Sequence, residues 1–214
     1  MHSLVRPGAH LGATRSKFAV HSQQSALDSL CALHCVAMLL QIVGLIADPS
    51  KIATRRRRPE ATLWRKTAEV FAQGMTFREL AAFIAELDRG LRVKLLEQGS
   101  HREAVAFVMR ELAKGRLVIC SVREVGDSQN HAVLAIGVEG VQHARQFEAR
   151  TLLILDPAEG PPAAMATCNA RLDYSMRKPG EMSRYARYTT ASGTFPVVLN
   201  GAVSIEMDEP DKPP

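Results

Sequence analysis

The hydrophobic period changes at Gly115, and this switch limits what the chain can fold into more than any other feature. Upstream, apolar residues recur in steps of three and four. Downstream they gather into short Val-, Ile- and Leu-rich runs bounded by Gly, Asp, Asn or Pro. From Asp28 to Leu45, Leu30, Leu33, Ala37, Leu40 and Ile42 interleave with Met38 and Leu39. A helix that is apolar nearly all round belongs in the centre of a fold. Asp28 or Ser29 is its expected N-cap, and Gly44 its stop. Thr76-Phe77-Arg78-Glu79 and Ser100-His101-Arg102-Glu103 have capping-box spacing and predict two more helices, running towards Asp88 and Gly115. Val93–Leu96, Leu117–Val122, His131–Val138, Leu152–Leu155, Thr194–Leu199 and Ala202–Glu206 read as strands. Asn200-Gly201 between the last two is a hairpin signal. Helices followed by an antiparallel sheet make the expected class α+β.

A length of 214 residues suits one domain with a sizeable core. Residues 1–22 read as an irregular arm, 23–207 as the domain and 208–214 as a disordered tail. The excess of 27 Lys and Arg over 22 Asp and Glu is modest, and much of it sits in Arg55, Arg56, Arg57 and Arg58. Four adjacent arginines repel one another and Pro59 follows, so Asp48–Thr67 is expected to be an exposed loop. Such a run suits an acidic partner; without interleaved aromatics it does not make a nucleic-acid site. The longest apolar stretch, Cys35–Ala47, is broken by Gln41 and Gly44 and is too short to cross a membrane. Residues 1–22 have no continuous apolar centre, which favours the cytoplasm over signal-dependent export, with leaderless secretion left open.

Four cysteines do not staple a chain of this length, so each is a buried thiol, a metal ligand or a nucleophile. Cys31 falls in the first turn of the central helix, where unpaired N–H groups and the helix dipole favour a thiolate. His131 opens an apolar strand directly after a polar loop. It is held rigidly yet reaches the edge of the fold, as a general base for a thiol must. Asp156 closes Leu152–Leu155 and is positioned to orient an imidazole on a neighbouring strand. Cys31, His34 and Cys35 also share a helix face, with Cys168, His143 or His101 available as a fourth metal ligand, but no second ligand pair follows at zinc-site spacing.

These residues together resemble a family. Gln24 through Leu39, with Cys31, Cys35, Ala37 and Met38, is similar to the nucleophile helix of papain-like cysteine peptidases, closest to the bacteriocin-processing double-glycine branch. Gly115–Val122 and Asn130–Gly137 resemble that branch's strand pair carrying the histidine, and Leu153–Gly160 its Asp-Pro-x-x-Gly turn. The order of elements matches over residues 22 to 160. The resemblance implies a papain-like fold, with a helical half bearing Cys31 packed on an antiparallel sheet bearing His131 and Asp156. It further implies Cys31 as nucleophile, His131 as base and then acid, Asp156 as orienting residue, and Gln24 or Gln23 as an oxyanion donor. The chain departs from the family at Ala32, where glycine is usual, and in the glutamine spacing, one residue longer for Gln24. The expected function is peptide-bond cleavage through a thioester on Cys31, without a cofactor, on a peptide or protein substrate. Acyl transfer or glutamine deamidation, of phytochelatin-synthase or toxin type, uses the same chemistry. An inactive binding module is the remaining alternative.

Overall fold

Alternation of apolar side chains along the strands buries both faces of the sheet. Leu117 and Ile119 point to one hydrophobic cluster, and Val118, Cys120 and Val122 to another. The computed structural model describes residues 5–6, 10–11, 19–26, 28–55, 58–87, 90–144, 146–163, 166–174 and 183–207. In chain order the elements are β1 (Val5–Arg6), β2 (His10–Leu11), α1 (Cys31–Ile42), a 3₁₀ helix (Pro49–Thr54), α2 (Arg58–Val70), α3 (Phe77–Glu86), β3 (Leu91–Leu96), α4 (His101–Ala113), β4 (Leu117–Glu124), β5 (His131–His143), β6 (Gln146–Leu155), β7 (Ala170–Asp173), β8 (Ala186–Thr189) and β9 (Thr194–Met207).

The expectation of a papain-like α+β fold, a helical half on an open antiparallel sheet, is overturned. Strands β4 to β8 pair in sequence, and β9 pairs with both β8 and β4, all antiparallel, so six strands close into a barrel. Closure depends on β7 and β8, four residues each, whose apolar residues alternate with charged or polar ones. Strand β3 is the one strand of this sheet outside the barrel, paired along the C-terminal part of β9. One cluster fills the barrel side, with α4 contributing Ala104, Val105, Phe107 and Val108. The other joins α1 and α3 to the outward residues of β4, β5, β6 and β9.

Three local expectations also change. Asn200-Gly201 is not a hairpin: β9 runs through it, because its two edges are claimed by β4 on one side and by β8 and β3 on the other. Asp48–Thr67 is not a loop. Asp48 caps the 3₁₀ helix through Ser50, and Pro59 lies in the first turn of α2, where a missing N–H costs nothing. Arg55 is exposed; Arg56, Arg57 and the side chain of Arg58 lie outside the described residues, as does the tail from residue 208. In the N-terminal arm, β1 pairs with β2, and Val20 is fully buried in the α1 cluster. Both capping boxes form as read, at Thr76–Glu79 and Ser100–Glu103. No helix among the described residues is long and apolar enough to cross a membrane.

Candidate active site

Cys31 is the first residue of α1, and the N-cap is Leu30 rather than Asp28 or Ser29. The Asp28 carboxylate is engaged one step earlier, accepting from the Ser25 N–H and hydroxyl and from the Leu30 N–H. The helix therefore starts at the nucleophile candidate itself, whose first-turn N–H groups have no acceptor within the helix. The Cys31 Sγ accepts the Ala132 N–H at 3.4 Å, across from the helix on β5. One turn later Cys35 donates to the Ala132 carbonyl at 3.4 Å, so both thiols fix the same stretch of strand.

His131 opens β5, and the β5–β6 register places Leu134 opposite Leu155. That register carries Asp156, the residue after β6, to the start of β5. His131 Nε2 lies 2.7 Å from Asp156 Oδ1. Its other ring nitrogen, Nδ1, is left for the Cys31 thiol, whose proximity favours the charged imidazole. Asp156 is only 2% exposed, so its charge must be satisfied by protein donors. Three do so: His131, the Ala158 N–H at 2.8 Å, and the Tyr188 hydroxyl at 2.6 Å on Oδ2. Asn169 brackets the Asp156 backbone, accepting its N–H at 2.7 Å and donating to its carbonyl at 2.8 Å.

The electrostatics follow from these contacts. Burial alone would raise the Cys31 thiol, but the hydrogen bond and charge of His131 with the Ala132 and Ala32 N–H groups bring it below its usual value. Burial likewise opposes charge on His131, yet hydrogen bonds to Asp156 and Cys31 raise it to about 10. Asp156 is held below the ordinary carboxyl range: the His131 bond and charge and the Tyr188 and Ala158 donors outweigh desolvation. The lowered Cys31 thiol and the raised His131 imidazole favour a thiolate–imidazolium pair over the neutral pair. Cys35 and Cys120 are pushed the other way by burial and stay protonated.

Two adjoining cavities of about 450 and 660 Å³ meet at Cys31, His131, Asn130 and Met75. Gln24 lines the larger one, and its backbone N–H is held by the Pro157 carbonyl at 2.7 Å. Its side-chain amide donates to the Asp28 carbonyl at 2.5 Å, while Gln23 is exposed. The alternative metal set is dispersed. His34 bonds Ser22, His101 accepts from the Leu199 N–H, and His143 sits by Glu148 at the surface. No three potential ligands gather among the described residues.

Tyr188, Asn169, Asn130 and Asn200 were not singled out in the sequence. Tyr188 belongs to a four-residue strand with too little pattern to detect, Asn169 carries no mark of its own, and Asn130 and Asn200 read as loop and hairpin residues. No family model matches this sequence, and no curated protein matches it.

Proposed function

We propose that the protein is a cysteine peptidase that cleaves a peptide bond through a thioester on Cys31. The observation that carries this reading is that the thiol at the start of α1 accepts the Ala132 N–H and shares its cavity with His131, whose ring lies 2.7 Å from the buried Asp156. The resemblance of residues 22 to 160 to double-glycine peptidases supports the same chemistry, independently of the barrel.

In the proposed reaction the Cys31 thiolate attacks the carbonyl carbon. The developing oxyanion is met by N–H groups at the start of α1, with Gln24 able to contribute once its amide swings from the Asp28 carbonyl; one such donor is typically worth about 10²–10³ in rate. The imidazolium gives its Nδ1 proton to the leaving amine as the C–N bond breaks. Water then attacks the thioester while His131 takes up its proton, and Cys31 leaves as thiolate. Proton transfer of this kind contributes roughly 10²–10⁴-fold. Acyl transfer and deamidation share the first step and differ in what resolves or forms the acyl-enzyme. All four cysteines are free, which fits a reducing cytoplasm, and the exposed Arg55 fits an acidic partner for the arginine run.

The test is iodoacetamide labelling of the wild type, Cys31→Ala, Cys35→Ala and His131→Ala across pH, followed by a peptide library with and without added amines. Rapid modification of Cys31 below pH 8, lost in His131→Ala, is expected. Labelling at Cys35 instead, or at no site faster than a free thiol, would reject the reading. New adducts with amines would move the assignment to acyl transfer.

A further inference from the structure

The hairpin expected at Asn200-Gly201 is replaced by a β-bulge, and the bulge builds something beside the catalytic pair. Ser121 pairs with Gly201 and Val122 with Leu199, so Asn200 is an extra residue without a partner on β4. Bulges of this kind re-aim a side chain and are common next to active sites. The Asn200 carbonyl is held by the Gly99 N–H at 2.9 Å. Gly201 lets the chain pass close to β3, since a Cβ there would lie 3.0 Å from the Glu97 carbonyl oxygen. The Asn200 side chain reaches across to Asn130, the residue before His131, and donates to its Oδ1 at 2.8 Å. Both amides line the smaller cavity with Cys31 and His131, and Asn130 also borders the larger one.

One bond between two amides uses one donor and one acceptor. Whichever way the two groups are turned, the pair keeps a C=O acceptor on one amide and N–H donors on the other. An extended peptide residue presents its own N–H and C=O on the same side, the complement of that arrangement. Of the other polar residues lining this cavity, Glu97 pairs with Arg78 and Thr76 caps α3, while Gln98 and Ser121 flank the pair.

We propose that the Asn130–Asn200 pair is a substrate subsite that grips the main chain of an extended peptide residue next to the scissile bond. The proposal rests on Cys31 being the nucleophile. It makes the substrate a polypeptide in extended form, recognised in part through its backbone, rather than a small thiol, ester or isolated side-chain amide.

The test compares two probes of the same sulfur. N-acetyl-dialanyl chloromethyl ketone carries a peptide main chain; methyl methanethiosulfonate carries none. In Asn130→Leu and in Asn200→Leu, the ratio of the peptide-probe rate to the methanethiosulfonate rate should fall about fivefold, as expected for one lost hydrogen bond in each. A ratio within twofold of wild type overturns the subsite, whether both rates hold or both fall together. Asn130 is exposed, so Asn130→Leu decides alone if Asn200→Leu does not fold. A wild-type Cys31 that reacts with methanethiosulfonate no faster than a free thiol rejects the nucleophile assignment itself, and the subsite with it.

Discussion

Replacing Asp156 with Asn isolates the charge that sustains the proposed thiolate–imidazolium pair. Asn is nearly the same shape, and its carbonyl can still accept from His131 Nε2, so the ring keeps its orientation while the negative charge is gone. Burial works against a charged His131, and the bonds to Asp156 and Cys31 overcome it, raising the imidazole to about 10. A hydrogen bond to a charged group contributes about 1.5–3 kcal/mol and a neutral one about 1 kcal/mol. The difference, about 0.5–2 kcal/mol, corresponds to roughly one pKa unit. His131 in Asp156→Asn should therefore half-titrate near pH 9 instead of about 10, or lower still as the direct charge attraction is also lost. The sign follows from linkage: a raised histidine contributes its full stability below its unfolded value of about 6.5, and that contribution drains away as pH rises through the folded value. The variant should thus lose its imidazolium, and the associated stability, earlier on the alkaline side. The measurement is the pH dependence of the His131 ring resonances by NMR in ¹³C-labelled protein, with Cys31→Ala as a second arm that should also lower the midpoint. An unchanged midpoint in Asp156→Asn would show that the carboxylate does not sustain the imidazolium. A wild-type midpoint near 6.5 would refute the ion pair altogether.

Two further perturbations probe the supports around the site. Tyr188→Phe removes the 2.6 Å donor on Asp156 Oδ2, a buried bond to a charged group, and should cost about 1.5–3 kcal/mol in urea unfolding at neutral pH. Asp156 is depressed, so the stability it supplies is present above its unfolded value and lost as pH falls through its folded one. The gap between wild type and Tyr188→Phe should then narrow in acid, and a gap independent of pH would reject the role of Tyr188 as a donor to the carboxylate. Glu111 is 1% exposed, contacts Arg116, Lys114 and Ser204, and is lowered to about 2. Breaking such a buried pair costs about 3–5 kcal/mol, so Glu111→Gln should lower the thermal midpoint strongly at pH 7. The deficit should shrink between about pH 4.5 and 2, as the native carboxyl itself protonates, with Cys31 labelling at neutral pH unchanged.

The candidate triad was legible because each member sits at the end of an element. Cys31 begins the apolar helix, His131 begins an apolar strand, and Asp156 follows one. Element ends leave local marks in a sequence, and functional groups need both the rigidity and the exposure that ends provide. The closure of the barrel left no such mark. Ala-Arg-Leu-Asp and Ala-Arg-Tyr-Thr are each stable as strands only because Leu172 and Tyr188 pair across from one another inside a sheet that already exists. The same dependence on distant partners overrode two local signals. Asn-Gly turns a chain when nothing competes, but here strands β3, β4 and β8 compete for every residue on both sides of it. Pro59 stops a helix that approaches it and starts one that leaves it, and the burial of Leu63 in the core cluster favours the second. The unread parts converge on one place. Tyr188 comes from the strand that closes the barrel and ends on Asp156, and Asn200 comes from the bulge that replaced the hairpin and ends beside His131. The long-range pairings that sequence periodicity does not encode are thus the ones that hold the Asp156 carboxylate and shape the cleft, while Cys31 and His131 rest on local structure.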